Sequence, residues 1–269
     1  MRKPNRVARK LSAGEVPIGI EVMFDEDRML EIIGWSGFDY VMLDMEHAPF
    51  HYDDMERQVR TAQGVGMSTF VRVAINAPTD IRRALETGTD GLVVPRVRGA
   101  DDVRAALDAM YYAPDGTRGM CPVTRAGRYR DDDWADYVTW LRREVLLMPL
   151  IESAEAIEDL EQICELPDIH VIGFGAGDFG QSIGAGADGM SSDAVLKAFH
   201  ELLRVAARHG VTVHAMPHIA GSPGEDVNKI LADGVGMVTY DADALMFSRI
   251  CREIIRETRG LKAVLDSRT

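Results

Sequence analysis

The stretch Phe38-Asp39-Tyr40-Val41-Met42-Leu43-Asp44-Met45-Glu46-His47-Ala48-Pro49 sets the frame for the whole chain. Its centre, Tyr40 to Leu43, is a short apolar run of the kind a fully buried strand carries, and Pro49 stops any extension. Asp44, Glu46 and His47 crowd the end of that strand. In an α/β protein ligands meet the chain at the carboxyl ends of parallel strands, so the cluster is either part of a site or a polar turn, with Asp44 or Asp53 capping the next helix. Later strands that end in the same way favour the site.

Working outward, Ile18 to Val22 reads as a first strand and Arg28 to Ile33 as a helix closed by Gly34. Tyr52 to Gln63 is helical, and Thr69 to Val73 is a third strand. Pro78 opens a helix that runs to Glu86, with Gly88 beyond its end. Gly91 to Pro95 is strand four, and Asp101 to Met110 is a helix. From Ala113 to Asp133 the pattern lapses into Pro, Gly and Arg, a loop long enough to expect a function of it. Val145 to Ile151 is strand five, Ala154 to Cys164 a helix and Val171 to Phe174 strand six. Asp193 to Arg208 is a helix, Thr212 to Ala215 strand seven, Asp226 to Ala232 a helix, Gly236 to Tyr240 strand eight and Asp243 to Arg259 the last helix. Eight short apolar strands alternating with helices in 269 residues fit a (β/α)₈ TIM barrel, with residues 1–269 as one domain. A doubly wound open sheet is the alternative, but it does not ordinarily feed charged residues from eight strands to one face.

Composition narrows the function. The net charge is −13, with 43 acidic against 30 basic residues, which argues against a nucleic-acid or anionic-membrane surface. Cys121, Cys164 and Cys251 are odd in number and lack metal-ligand spacing, so buried thiols in a reducing, cytoplasmic compartment are expected. There is no run of 18 apolar residues that would span a bilayer. The basic start, with Arg2, Lys3, Arg6, Arg9 and Lys10, has no apolar run after it and reads as an exposed amphipathic helix with Val7 and Leu11 turned inward.

On the barrel reading the strand ends deliver Asp44 and His47, Arg72, Arg96, Glu152, Asp178, His214 and His218, and Asp241 to one rim. Glu152 follows an apolar strand directly, and Asp178 lies one βα unit later beside small residues. Two neighbouring carboxylates without cysteine suit a hard divalent cation, with water and substrate filling the other positions; the plainer alternative is that one of them accepts hydrogen bonds within the barrel. Gly175-x-Gly177-x-x-Gly180 and Gly184-x-Gly186-x-x-Gly189 match a dinucleotide fingerprint by letter only. Neither sits in a first βα turn, and their glycines are expected to prevent an immediate helix. The first is read instead as a loop whose N–H groups at Gly177 and Asp178 hold a carboxylate. Pro217 argues against a helical metal pair at His214 and His218, which suit structural roles better. No lysine ends a strand, so a Schiff-base mechanism lacks its nucleophile.

The segments Gly37 to Pro49, Val71-Arg72-Val73, Ala84 to Pro95, Gly116-Thr117-Arg118-Gly119, Leu150-Ile151-Glu152-Ser153 and Gly175-Ala176-Gly177-Asp178 resemble the HpcH/HpaI family of metal-dependent (class II) pyruvate aldolases. The likeness runs from about Leu11 to Ile255. It implies a (β/α)₈ barrel in a homo-oligomer, trimer or hexamer, that exchanges a helix between subunits. It implies that Glu152 and Asp178 hold Mg²⁺, Mn²⁺ or Co²⁺, that pyruvate chelates the metal, and that Arg72 stabilises the enolate oxygen. His47, oriented by Asp44, is implied as acid and base, and the backbone at Gly177 and Asp178 as the pyruvate carboxylate site. The chain departs from the family at Leu150, where a Gln is frequent, and at Glu21, where some members carry an aromatic. Glu86 aligns with an Asp contributed by a neighbouring subunit and is a candidate substrate contact.

The expected activity is reversible aldol cleavage of a 4-hydroxy-2-oxo acid to pyruvate and an aldehyde. A lyase or decarboxylase acting on oxaloacetate or a citryl-CoA-like ester is the alternative, with the Arg118 to Arg130 loop serving a larger anion. A metal-independent binding protein on the same scaffold is a third.

Overall fold

A computed structural model describes residues 3–185 and 192–266, so the second glycine motif, at Gly186 and Gly189, lies outside the described residues. Eight parallel strands close into a barrel in chain order. They are β1 (Ile18–Val22), β2 (Tyr40–Asp44), β3 (Ser68–Arg72), β4 (Gly91–Val97), β5 (Leu146–Ile151), β6 (Val171–Phe174), β7 (Thr212–Ala215) and β8 (Met237–Ala242). All five residues of β2 are buried, as a strand covered on both faces requires. Alternate residues face inward: Tyr40, Met42, Phe70, Val93, Met148, Leu150, Val171 and Met237 fill the interior as one apolar cluster. The interior is a packed core, and Gly19 and Gly91 leave room for it, since a Cβ at either would sit about 2.5 Å or less from the rings of Tyr40 and Phe70.

The helices are α1 (Arg6–Ser12), α2 (Asp27–Trp35), α3 (Tyr52–Gly64), α4 (Pro78–Glu86), α5 (Ala100–Met110), α6 (Trp134–Glu144), α7 (Ala154–Glu158), α8 (Leu160–Cys164), α9 (Ala176–Ser182), α10 (Asp193–His209), α11 (Pro223–Ala232) and α12 (Asp243–Asp266). Several differ from expectation for local reasons. Gly34 does not close α2 but lies within it, where a Cβ would meet Val65 at 2.4 Å; the helix ends at Ser36, ahead of Gly37 with φ +100°. The segment from Ala154 breaks at Asp159 into two short helices. Asp159 instead accepts a hydrogen bond from the Ala100 N–H at 2.6 Å, tying this turn to the start of α5. Helix α6 has no counterpart in the sequence reading. Its Tyr137 and Trp134 stack edge-on with Tyr112.

The amphipathic start has a specific task. Val7 of α1 is fully buried and joins the interior cluster, with Ala8 and Leu11 against it, so α1 plugs the amino-terminal floor of the barrel. Asn5 caps α1 through the N–H groups of Val7 and Ala8. Its amide nitrogen also donates to the carbonyls of Asp90 at 2.9 Å and Glu144 at 2.7 Å, and its backbone N–H donates to the Glu144 carboxylate at 2.9 Å. At the other end of the chain, α12 leaves Leu245, Phe247, Ile250, Ile254 and Ile255 exposed. No described helix is long and apolar enough to cross a membrane.

Asn5→Ala leaves two carbonyls and a capping position unsatisfied on the floor, far from the rim. It is expected to lower stability by about 2–3 kcal/mol in urea unfolding while steady-state activity is unchanged.

Candidate active site

Asp44 is the last residue of β2, fully buried and in register with Arg72 at the end of β3. The guanidinium grips it in a two-pronged contact, Nε to Oδ1 at 2.8 Å and Nη2 to Oδ2 at 2.6 Å. The same carboxylate accepts the N–H groups of Glu46 at 2.8 Å and His47 at 3.3 Å, which folds the following turn back over the strand. The expectation that Asp44 orients the His47 side chain needs correction. Asp44 meets His47 at its backbone N–H; the ring Nε2 instead lies 3.6 Å from Glu46 Oε2, on a side chain 48% exposed at the mouth.

Glu46, part of the strand-end cluster read from the sequence, and Glu21, where some family members carry an aromatic, were given no role from sequence, yet both join this site. Glu21 Oε1 lies 2.8 Å from Arg72 Nη2, and Glu46 Oε2 lies 3.7 Å from Arg72 Nε. The inward register of β1 is the signal that would have found Glu21. Burial works against the charge on Arg72, but the hydrogen bonds to Asp44 and the negative charges of Glu21, Asp44 and Glu46 outweigh it and hold the guanidinium protonated.

Glu152 follows β5 and is buried. The end of β4 is bulged against β5 between Val94 and Val97, and Arg96 there takes the left-handed backbone conformation, φ +56°. That bulge aims the Arg96 N–H at Glu152 Oε1. Burial pushes the Glu152 carboxyl up to about 7, and the nearby charges of Asp178 and Glu46 add to the rise against the pull of the Arg96 N–H and of Arg72. Gly175 lies against it, since a Cβ there would stand 2.6 Å from Glu152 Oε2.

Gly177 and Asp178 are not in an open loop. Gly175 caps a short helix, α9, and both residues sit in its exposed first turn. The glycines do not prevent the helix, because buried Phe179 anchors it against Phe174, and Phe174 in turn against Phe199 of α10. Glu152 and Asp178 thus both lie at the β5–β6 end of the rim, with the charge of Asp178 close enough to add to the rise at Glu152. Among the described residues no group of three His, Cys, Asp or Glu side chains forms a ready-made metal cage. Two carboxylates, one of them buried and starved of positive charge, nevertheless fit a hard divalent cation that keeps open positions for water and substrate.

Other candidates fall elsewhere. Glu86 ends α4, which runs from the rim to the floor, and its carbonyl accepts the Ala126 N–H at 3.2 Å; within one chain it does not meet the site. The Arg118 to Arg130 loop joins α5 to α6 and also lies at the floor, so it cannot serve an anion at the rim of its own barrel. Arg118 is stacked on Tyr112 at 4.8 Å, and Arg125 donates to Gln63 and the Thr87 carbonyl. A cavity of about 520 Å³ beside this loop is lined by Arg60, Gln63, Asp90 and Arg125 and belongs to the floor. His214 is buried beneath the rim, with Nε2 2.8 Å from Thr239 Oγ1, and burial holds its pKa down to about 4. His218 is exposed, and Asp241 is engaged by Arg249 of α12.

A closed parallel barrel with carboxylates, an arginine and a histidine gathered at the carboxyl ends of its strands has the layout of a barrel enzyme. The family model for HpcH/HpaI aldolase/citrate lyase matches residues 22–240. The chain is 30% identical over 254 residues to a 2-dehydro-3,6-dideoxy-6-sulfogluconate aldolase from Pseudomonas putida, covering 94% of this chain and 96% of that one. It is 33% identical over 180 residues to a pyruvate aldolase from Rhizobium etli, covering 67% and 70%. A solved HpcH/HpaI aldolase/citrate lyase family protein from Burkholderia cenocepacia superposes with a TM-score of 0.86 at 25% identity, covering 95% of this chain and 99% of that one. The chain belongs to the HpcH/HpaI aldolase/citrate lyase family.

The raised pKa of Glu152 carries a sign for stability. A carboxyl that ionises less readily folded than unfolded adds stability at low pH and loses it as the pH rises through about 7. Without added divalent ion, Glu152→Gln is therefore expected to melt roughly 5 °C above the parent at pH 8.5 and together with it at pH 4, as differential scanning fluorimetry will show.

Proposed function

We infer that the chain is a carbon–carbon lyase that cleaves 4-hydroxy-2-oxo acids reversibly to pyruvate and an aldehyde. The observation that carries this reading is the presence of a largely buried, anchored guanidinium, Arg72, and the carboxylates Glu152 and Asp178 on one rim. Glu152 and Asp178 would hold a divalent cation, Mg²⁺, Mn²⁺ or Co²⁺. When bound, that ion supplies Lewis-acid polarisation of the 2-oxo group.

The protein's own groups do the rest. In cleavage, His47 takes the proton of the C4 hydroxyl, the C3–C4 bond breaks, and the aldehyde leaves. The bonding pair passes to C3 and spreads to the C2 oxygen. Among the described residues the contacts of Arg72 use Nε and Nη2, which leaves its Nη1 edge to meet that developing negative charge. Because Asp44 fixes the guanidinium before substrate arrives, little reorganisation is needed in the transition state. Protonation at C3 then gives pyruvate. The N–H groups at Gly177 and Asp178, in the first turn of α9, would receive the pyruvate carboxylate. His47 at the exposed mouth exchanges its proton with solvent and returns it in the addition direction.

The apolar face of α12 supports a homo-oligomer, trimer or hexamer, in which this helix covers a second copy. Such an assembly is also the only way Glu86 could approach substrate, from the floor of one barrel to the rim of another. The position of the arginine loop at the floor counts against a large CoA ester in the rim of the same chain.

Incubating pyruvate with a panel of aldehydes, with and without chelator and each of the three metals, tests the reading directly. Aldol product that disappears with EDTA and returns with metal is the expected result. His47→Ala and Arg72→Ala are each expected to lower turnover about 10²–10⁴-fold with circular dichroism unchanged; pyruvate release at the parental rate by either variant removes that residue's role.

A further inference from the structure

We propose that Glu21 is a specificity-determining residue that selects uncharged, hydroxyl-bearing aldehydes and turns away aldehydes carrying a second carboxylate. The proposal rests on the aldolase reading above and adds the class of the aldehyde partner. Glu21 of β1 is in register with Met42, whose side chain belongs to the interior cluster, so the glutamate points into the barrel just below its mouth. It is 7% exposed. Its Oε1 meets the charge of Arg72 Nη2 at 2.8 Å, yet this buried oxygen takes part in no hydrogen bond of proper geometry. Asp44 already occupies the same Nη2 at 2.6 Å as well as Nε, so Glu21 is not needed to hold the guanidinium in place.

The consequence is an excess of negative charge on this wall. Asp44 and Glu21, with Glu46 farther off, face a single guanidinium. Arg96 does not redress the balance, because its Nε is bound to Glu46 at 3.0 Å on a side chain that is 73% exposed. Arg249, farther round the rim, is taken by Asp241.

Glu21 also borders the part of the rim where the aldehyde oxygen is handled. Glu21 and Glu46 lie against the same guanidinium, at 2.8 and 3.7 Å, and Glu46 Oε2 stands 3.6 Å from the ring Nε2 of His47. On the aldolase reading, an aldehyde whose oxygen meets His47 therefore sits over the wall that Asp44, Glu21 and Glu46 form around Arg72. A carboxylate on the incoming aldehyde would be pressed against a desolvated like charge, whereas a hydroxyl would donate to a carboxylate with lone pairs to spare.

The test is the ratio of kcat/KM values for pyruvate addition to glycolaldehyde, propanal and glyoxylate in the presence of Mg²⁺. The parent is expected to prefer glycolaldehyde to propanal, and propanal to glyoxylate. Glu21→Gln keeps the shape and removes the charge, and is expected to move the glycolaldehyde-to-glyoxylate ratio about tenfold or more toward glyoxylate. Glu21→Asp keeps the charge and is expected to retain the parental order. A drop of equal size on all three aldehydes in Glu21→Gln overturns the proposal, because it marks a residue that only supports Arg72. Glyoxylate used by the parent as well as glycolaldehyde overturns it without any variant, which covers the case of a glutamine variant that fails to fold. If the parent condenses pyruvate with none of the aldehydes, the aldolase reading itself falls and takes this inference with it.

Discussion

The contact between Asp44 and Arg72 is the constraint on which the rim is built. A guanidinium largely withdrawn from water at a barrel mouth is tolerable only if its charge is met, and Asp44 meets it with two parallel hydrogen bonds. The register between β2 and β3 puts the two residues opposite each other, so the pairing of the strands and the geometry of the site are one fact. The same carboxylate then gathers the N–H groups of Glu46 and His47, which delivers the histidine to the mouth. Everything on this side of the rim is hung from one buried carboxylate.

The opposite side is held differently. Among the described residues no side-chain cation pairs with Glu152; what it has is one backbone N–H, presented by the bulge at Arg96. A site with a fixed arginine on one half and the other half left short of positive charge has an inherent direction. Electron density drawn from a substrate spanning the two halves has one resident cation to move toward and one place where a further cation is welcome.

Much of this was legible in the chain itself, and the exceptions have physical causes. All eight strands can be found from short apolar runs, because a strand buried on both faces leaves no other pattern. Asp44, Arg72, Glu152 and Asp178 could be placed at strand ends for the same reason. What the linear pattern could not carry was direction in space. Glu21 lies inside a strand, and that its carboxylate turns in onto Arg72 shows only once the register of β1 is known. The arginines of the 113–133 loop look like part of a site until it is clear that a segment following a helix returns to the floor. The helix at α9 was hidden by its glycines, since the anchor that makes it form, Phe179 against Phe174, is supplied by the fold around it. Helix α6 begins in a run of aspartates and aromatics whose stacking on Tyr112 only the folded chain provides.

The plug at the floor has a bearing on how the molecule comes into being. Asn5 finds its partners at Asp90 and Glu144, far later in the chain, so this segment can be seated only after both have been made. On a ribosome, α1 has nothing to close until the fifth strand is about to emerge, and the half-built barrel must keep its open base from neighbours meanwhile. The lysine and arginines that flank Val7 keep that waiting segment well hydrated, and two of them, Arg6 and Lys10, then lock it by pairing with Asp39 once the base is complete.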